Sequence, residues 1–165
     1  MARSTRTRTV SLAVVGGFAL VAGVLAGCGG DEFHDRTAVV DVGGRTTTFE
    51  VTTCGLDGIT AFVVGRSESG EVLQAVVGVE EDDPEAGVPA LTGLTVTEGD
   101  GELVAFGADA WALRGEVAPA PGSVTDARIR GARIQADGRF SVVDGDGGVT
   151  ADGPTFRFDA RCDEP

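Results

Sequence analysis

Four groups of residues in this 165-residue chain have the types and spacing to do chemistry: three cysteines, one histidine, runs of carboxylates and a stripe of arginines. Cys28 closes the order Leu25-Ala26-Gly27-Cys28 at the end of an apolar segment. A branched aliphatic residue, two small residues and a cysteine match the bacterial lipobox. Small side chains fit the narrow pocket of a signal peptidase, and the thiol accepts a diacylglyceryl group. Residues 1–9 carry Arg3, Arg6 and Arg8 without an acid, and residues 10–27 carry no charge. These are the charged and apolar regions of a secretory signal. One acyl chain holds a membrane only marginally, and a diacylglycerol meets the requirement for two. The expected organisation is a cleaved lipoprotein signal peptide at 1–27, a lipidated tether at 28–36 and a β domain at 37–165. The lipid places the domain on the outer face of the cytoplasmic membrane. An uncleaved span over 10–27 is the competing reading, weakened by its minimal length and by Gly16, Gly17 and Gly23.

Once Cys28 is acylated, Cys54 and Cys162 remain as an even pair in an oxidising compartment, where a disulfide is the default. Closing a loop of that length gives about 4.7 kcal/mol by chain-entropy bookkeeping. The two free buried thiols are the alternative.

Hydrolytic chemistry finds little support. The one histidine, His34, lies in the tether, whereas a Ser/His/Asp or Cys/His engine needs a base fixed in the domain. The stretch GRSESG (65–70) has the wrong spacing for a nucleophile elbow and falls in a hairpin turn. With no tyrosine and one tryptophan, a carboxylate-pair glycosidase has few sugar-stacking platforms. No enzyme is expected. DGDGG (144–148) opens like a calcium loop, but Gly148 and Thr155 stand where an EF-hand needs ligands. A looser set of Asp144, Asp146 and Asp152, and the acidic run EEDDPE (80–85), are solvated turns before they are metal sites. No metal and no cofactor beyond the diacylglycerol on Cys28 are expected.

Arg128, Arg130 and Arg133 form the one basic stripe. It is a solvent face paired with carboxylates or a patch for a phosphorylated envelope glycolipid, bound by charge-assisted hydrogen bonds. Residues 28–165 hold ten arginines against 26 acids, a net of −16. That balance excludes nucleic acid as a partner, since phosphate binding needs a positive footprint, and it leaves attachment to the lipid.

The elements that must position these groups read as strands and turns. TAVVDV (37–42) and RTTTFEVTTC (45–54) flank Gly43-Gly44, a hairpin with a primed turn. ITAFVVG (59–65) and EVLQAVVGV (71–79) follow across short turns, so these strands are antiparallel neighbours. An acidic loop (80–90) with a helical turn after Pro84 precedes LTGLTVT (91–97) and ELVAF (102–106). AWALRGEV (110–117) reads as a further strand with Trp111 and Leu113 on one face. ARIRGARIQA (127–136) reads as one strand bulged at Gly131, which puts Ile129 and Ile134 on one face. Asp137-Gly138 reads as the turn into GRFSVV (138–143). TFRFDARC (155–162) alternates, with Phe156, Phe158, Ala160 and Cys162 inward. Phe49 and Val51 share a face that Cys54 does not, so a bulge is expected at Thr52-Thr53. The fold class is all-β, a sandwich or strongly twisted antiparallel sheet stapled by one disulfide.

The lipobox, the run Val40-x-Val42-x-Gly44-x(6)-Val51-x-x-Cys54 and the terminal Phe156-x-Phe158-x-x-x-Cys162 together resemble the LpqH family, the mycobacterial 19 kDa lipoprotein antigen type. The resemblance covers about residues 20–79 and 150–162. It implies an actinobacterial envelope lipoprotein without catalysis, whose acylated N-terminus innate immune receptors recognise. Two functions are carried forward. One is an anchored β domain for interaction or scaffolding, with an envelope protein or glycolipid as partner. The other is a small-ligand carrier or sensor with an apolar pocket between β layers, lined by Phe62, Phe106 and Trp111.

Overall fold

The computed structural model describes residues 36–115, 119–150 and 153–162. The signal segment, Cys28, His34 and Asp152 lie outside the described residues.

Eleven strands form one antiparallel sheet. They are β1 (Thr37–Val42), β2 (Arg45–Asp57), β3 (Thr60–Ser67), β4 (Val72–Val79), β5 (Gly87–Glu98), β6 (Gly101–Phe106), β7 (Ser123–Arg130), β8 (Arg133–Arg139), β9 (Ser141–Val143), β10 (Val149–Thr150) and β11 (Thr155–Arg161). A short helix, α1 (Ala108–Leu113), follows β6. The spatial order is β10-β9-β6-β5-β4-β3-β2-β1-β11-β8-β7. Consecutive strands from β1 to β6 are therefore neighbours, as short hairpins require. The last strand, β11, returns to the first by pairing with β1 from Thr37–Arg161 to Val42–Phe156.

Local chemistry explains the turns. Gly43 and Gly44 both have positive φ, +58° and +88°, the geometry of a primed two-residue hairpin that side chains with a Cβ resist. Asp41 steadies it, its carboxylate accepting from Gly44 N at 3.0 Å and Thr46 Oγ1 at 3.1 Å. The β2–β3 register shifts between Val51 and Thr53, so the bulge expected at Thr52-Thr53 is present. It turns the strand end so that Cys54 packs partly against the core.

Alternation then builds a filled interior. Phe49, Val63, Leu73, Phe140 and Phe158 have no exposed surface, and they meet Val40, Val51, Leu94, Ile134 and Ala160 in one cluster. Each large side chain so buried contributes roughly 1.5–3 kcal/mol. Phe140 and Phe156 stack at 4.4 Å between ring centroids. The sheet curls into a half-barrel until its β7 edge reaches the start of β5. Ile129 N donates to Glu85 O at 3.2 Å, and Ala86 bridges Arg128. Gly87 permits this closure, since a Cβ there would lie 2.4 Å from the Ala127 carbonyl carbon. One curled sheet therefore replaces the sandwich alternative.

The disulfide joins Cys54 to Cys162, with Cα atoms 5.7 Å apart and the two residues 108 positions apart in sequence. Its place is specific. β1 separates β2 from β11 in the sheet, but β1 begins at Thr37, opposite Glu50 and Arg161. Beyond that level no strand among the described residues lies between β2 and β11, and the disulfide ties the upper part of β2 to the end of β11.

Four local expectations are corrected. Residues 110–113, expected in a strand, belong to α1; three alanines in Ala108–Leu113 favour helix over strand. Residues 127–136 are not one bulged strand but the β7–β8 hairpin, turning at Gly131 with φ +56°. Ile129 and Ile134 still share the inner face, because they pair directly across it. Asp137-Gly138 is not a turn: β8 runs through it, pairing with β7 and β11 on its two sides. Glycine is needed there because a Cβ would meet Ser123 O at 2.1 Å. The acidic loop is also shorter than expected, with β5 starting at Gly87. Its turn closes where Ala86 N donates to Asp83 O at 3.0 Å. Among the described residues no helix is long and apolar enough to cross a membrane.

Candidate functional site

Two of the three expected pocket aromatics meet on the outer face of the half-barrel. β6 ends at Phe106, and Gly107 turns the chain into α1, its N–H donating to Thr92 O at 2.8 Å. The helix lays Trp111 against Phe106, ring centroids 5.2 Å apart. Arg114 follows, its guanidinium 5.1 Å from the Phe106 ring centre and 5.9 Å from that of Trp111, within cation–π reach. Pro121 O accepts from Phe106 N at 3.0 Å and fixes the segment 119–122 on the opposite wall. Between the walls lies a cleft of about 720 Å³, floored by Thr95, Val104 and Ser141. Gly122 N donates to Ser141 Oγ at 2.8 Å, so that hydroxyl already holds the wall.

Phe62 does not join this cleft. It stands in the same cross-strand row as Phe106, through Val76 and Gly93, but three strands away. Its ring covers Gly55 on β2, where an added Cβ would come within 3.0 Å of it. The Phe106 ring similarly covers Gly93, at 2.5 Å. Each aromatic shields the bare backbone of a neighbouring strand. Register, which the sequence does not state across four strands, separates the two rings. The cleft is also on the outer face, not between β layers. Arg114 and Pro121 escaped the sequence reading; the signal for Arg114 was the spacing Trp111-x-x-Arg114, one helical turn.

The arginine stripe is on the exposed face of β7 and β8. Arg128 pairs with Asp126. Arg133 forms a two-pronged bond to Asp159, Nε to Oδ1 at 2.8 Å, and Gln135 Nε2 donates to the same carboxylate at 2.8 Å. The hydrogen bond to Asp159 holds the Arg133 pKa above its ordinary value, against the cost of desolvation. Arg157 meets Asp137 at 3.1 Å. Arg130 stands beside them, directly opposite Arg133.

A third cluster was missed. Arg45 bonds to Glu98 and lies 3.9 Å from Glu71, tying the first residue of β2 to the chain before β4 and the last residue of β5. The GRSESG serines serve this clasp. Glu71 N donates to Ser67 Oγ at 3.0 Å, and Ser69 Oγ donates to Glu71 Oε2 at 3.0 Å. Desolvation pushes the Glu71 pKa up. Hydrogen bonds to Glu98, Ser67 and Ser69 and the Arg45 charge outweigh it, leaving the group below its ordinary value. In DGDGG, Asp144 Oδ1 accepts from Asp146 N at 3.1 Å and Gly148 N at 2.6 Å, which spends it on the turn. Among the described residues no group of three or more His, Cys, Asp or Glu is arranged to hold a metal.

No protein-family model matches the chain, and no curated protein matches it.

Proposed function

We propose that the chain is an envelope lipoprotein anchored through diacylglyceryl-Cys28, presenting a non-catalytic β domain for interaction or scaffolding at the outer face of the cytoplasmic membrane. The observation that carries this reading is the ordered signal: Arg3, Arg6 and Arg8, an uncharged run over 10–27, then Leu25-Ala26-Gly27-Cys28. The domain's build supports it. Its interior is filled by side chains, so contact with other molecules falls to the outer surface. A disulfide suits an oxidising compartment. Globomycin, which blocks the lipoprotein signal peptidase, should cause a larger precursor to accumulate, and Cys28→Ser should release the protein from membranes. Unchanged processing and attachment in both cases would overturn the reading.

The Phe106–Trp111–Arg114 cleft favours a second reading, in which a small amphiphile is carried on the outer face. Trp111 is the only tryptophan, so its emission should shift on titration with such a ligand. Emission unmoved by any acyl or glycolipid probe would leave scaffolding alone.

A further inference from the structure

The cleft between β6 and the segment 119–122 has two chemically different sides. Alternation along β4, β5 and β6 buries Leu73, Leu94, Leu103 and Ala105, so Gln74, Thr95, Thr97, Glu102 and Phe106 face outward. Register lays them in rows. Gln74 lies opposite Thr95, and Thr95 opposite Val104. Two residues along, Thr97 lies opposite Glu102, and Glu102 opposite Val143. The β4–β5 side of the cleft is thus a row of amide, hydroxyl and carboxylate groups. The other side is apolar, with Val104, Val143, Pro119 and Pro121. Phe106 and Trp111, the chain's only tryptophan, close one end, and both rings are half-buried.

Two charged residues line the cleft, one of each sign. Glu102 and Phe106 stand four residues apart on β6, about 13 Å along the strand, and Arg114 lies over the Phe106 ring. Glu102 accepts from Thr97 Oγ1 at 3.4 Å, one long contact for a carboxylate with about four acceptor sites. At the far end the guanidinium only donates, whereas the Gln74 amide both donates and accepts.

We infer that this cleft binds a neutral oligosaccharide. Such a chain carries no charge for either end to repel, donates and accepts through its hydroxyls, and presents a C–H face. The hydroxyls meet Gln74, Thr95, Thr97 and Glu102, and the C–H face lies on Phe106, Trp111 and Val104. An acyl chain would cover the polar row without offering it partners, which is unfavourable. A polyanion is repelled at Glu102 and a polycation at Arg114. A span of about 13 Å along β6 takes more than one sugar ring, and a volume of about 720 Å³ is that of a small-ligand site. The inference rests on the second reading's premise that the cleft is a binding site, and names a sugar chain as what it takes. A free polysaccharide and a glycolipid headgroup share this chemistry.

The test uses the full chain in a polyoxyethylene detergent, which carries no sugar, titrated by calorimetry with cellohexaose, mannohexaose and maltohexaose. Decanoate, a proline-rich peptide, and phosphatidylcholine vesicles with digalactosyldiacylglycerol are separate arms. Saturable binding of at least one hexaose, undiminished as NaCl is raised, is expected, and the Trp111 emission should shift in step. Hexaose binding without vesicle capture supports a free polysaccharide as the source; vesicle capture that a hexaose competes away supports a headgroup. Trp111→Ala should weaken binding about tenfold. Glu102→Ala, at an exposed position, should weaken it several-fold and carries the test if Trp111→Ala disturbs α1. Arg128→Gln, on β7 and outside the cleft, should leave it within twofold. Binding of neither hexaose nor glycolipid vesicle would overturn the inference. If decanoate then still moves the emission, the amphiphile reading stands; if it does not, both fall together. Binding of the proline-rich peptide in place of the hexaoses, or hexaose binding indifferent to both variants, would overturn it as well.

Discussion

Replacing both bridging cysteines, Cys54→Ala with Cys162→Ala, isolates the contribution of the staple to the fold. The residues stand 108 positions apart, and closing a loop of this size in the unfolded chain is worth about 4.7 kcal/mol. For a domain of roughly 129 residues the unfolding entropy is about 0.27 kcal/mol/K, so Tm should fall by about 17 °C. The structure also says where the loss is first felt. From Thr53 to Asp57, β2 pairs among the described residues with β3 alone, from Thr53–Val64 to Asp57–Thr60, and the disulfide is its tie to the β11 side. Amides in Thr53–Asp57 should therefore lose hydrogen-exchange protection before those of Thr46–Val51, which lie under β1. Scanning calorimetry of the double variant, and of the wild type under reductant, measures the first effect; exchange mass spectrometry measures the second. A Tm drop below about 5 °C in both samples would refute loop closure as the source of stability. Uniform loss of protection along β2 would refute the local account.

Three further outcomes follow from the core, the cleft and the clasp. Phe158→Ala removes a fully buried ring and should cost about 3–5 kcal/mol in denaturant titration; a loss under 1 kcal/mol would mean the interior is not close-packed. Gly93→Ala drives a Cβ to 2.5 Å from the Phe106 ring, so Phe106 must leave Trp111 and the tryptophan emission should move to the red; unchanged emission would contradict the stacking. Glu71 has a lowered pKa, so its contribution is present above its ordinary unfolded value and is lost as pH falls through the folded one. The stability gap between wild type and Glu71→Gln should be full at pH 7 and close progressively below about pH 4.5; a gap that widens on acidification would reverse the assigned direction.

What the sequence revealed depended on how local each signal was. The Gly43-Gly44 hairpin, the alternation of β11 and the Thr52-Thr53 bulge are set by neighbouring residues, and all three were legible. The Cys54–Cys162 pairing was legible because the lipobox reading assigns Cys28 to a lipid and leaves one pair. In contrast, ARIRGARI misled because Ile129 and Ile134, five apart, satisfy two geometries: one bulged strand, or two strands across a two-residue turn. Gly131 at positive φ selects the second. α1 misled because Ala-Trp-Ala-Leu alternates like a strand over so few residues. Asp137-Gly138 looked like a turn because close packing against Ser123 and Phe156 demands glycine as strictly as positive φ does. For the candidate site, residue type located Phe106 and Trp111 but could not exclude Phe62. Nor could it bring Arg161 opposite Arg133, since that pairing arises only from strand order.

The proposed placement of the domain in the envelope depends on Cys28 more than on any other residue. Intact mass spectrometry of the native protein extracted from membranes tests it most directly. The expected species begins at Cys28 and is heavier than its sequence by a diacylglyceryl group. A chain that begins at Met1, or one that carries no fatty-acid mass on its first residue, would contradict it.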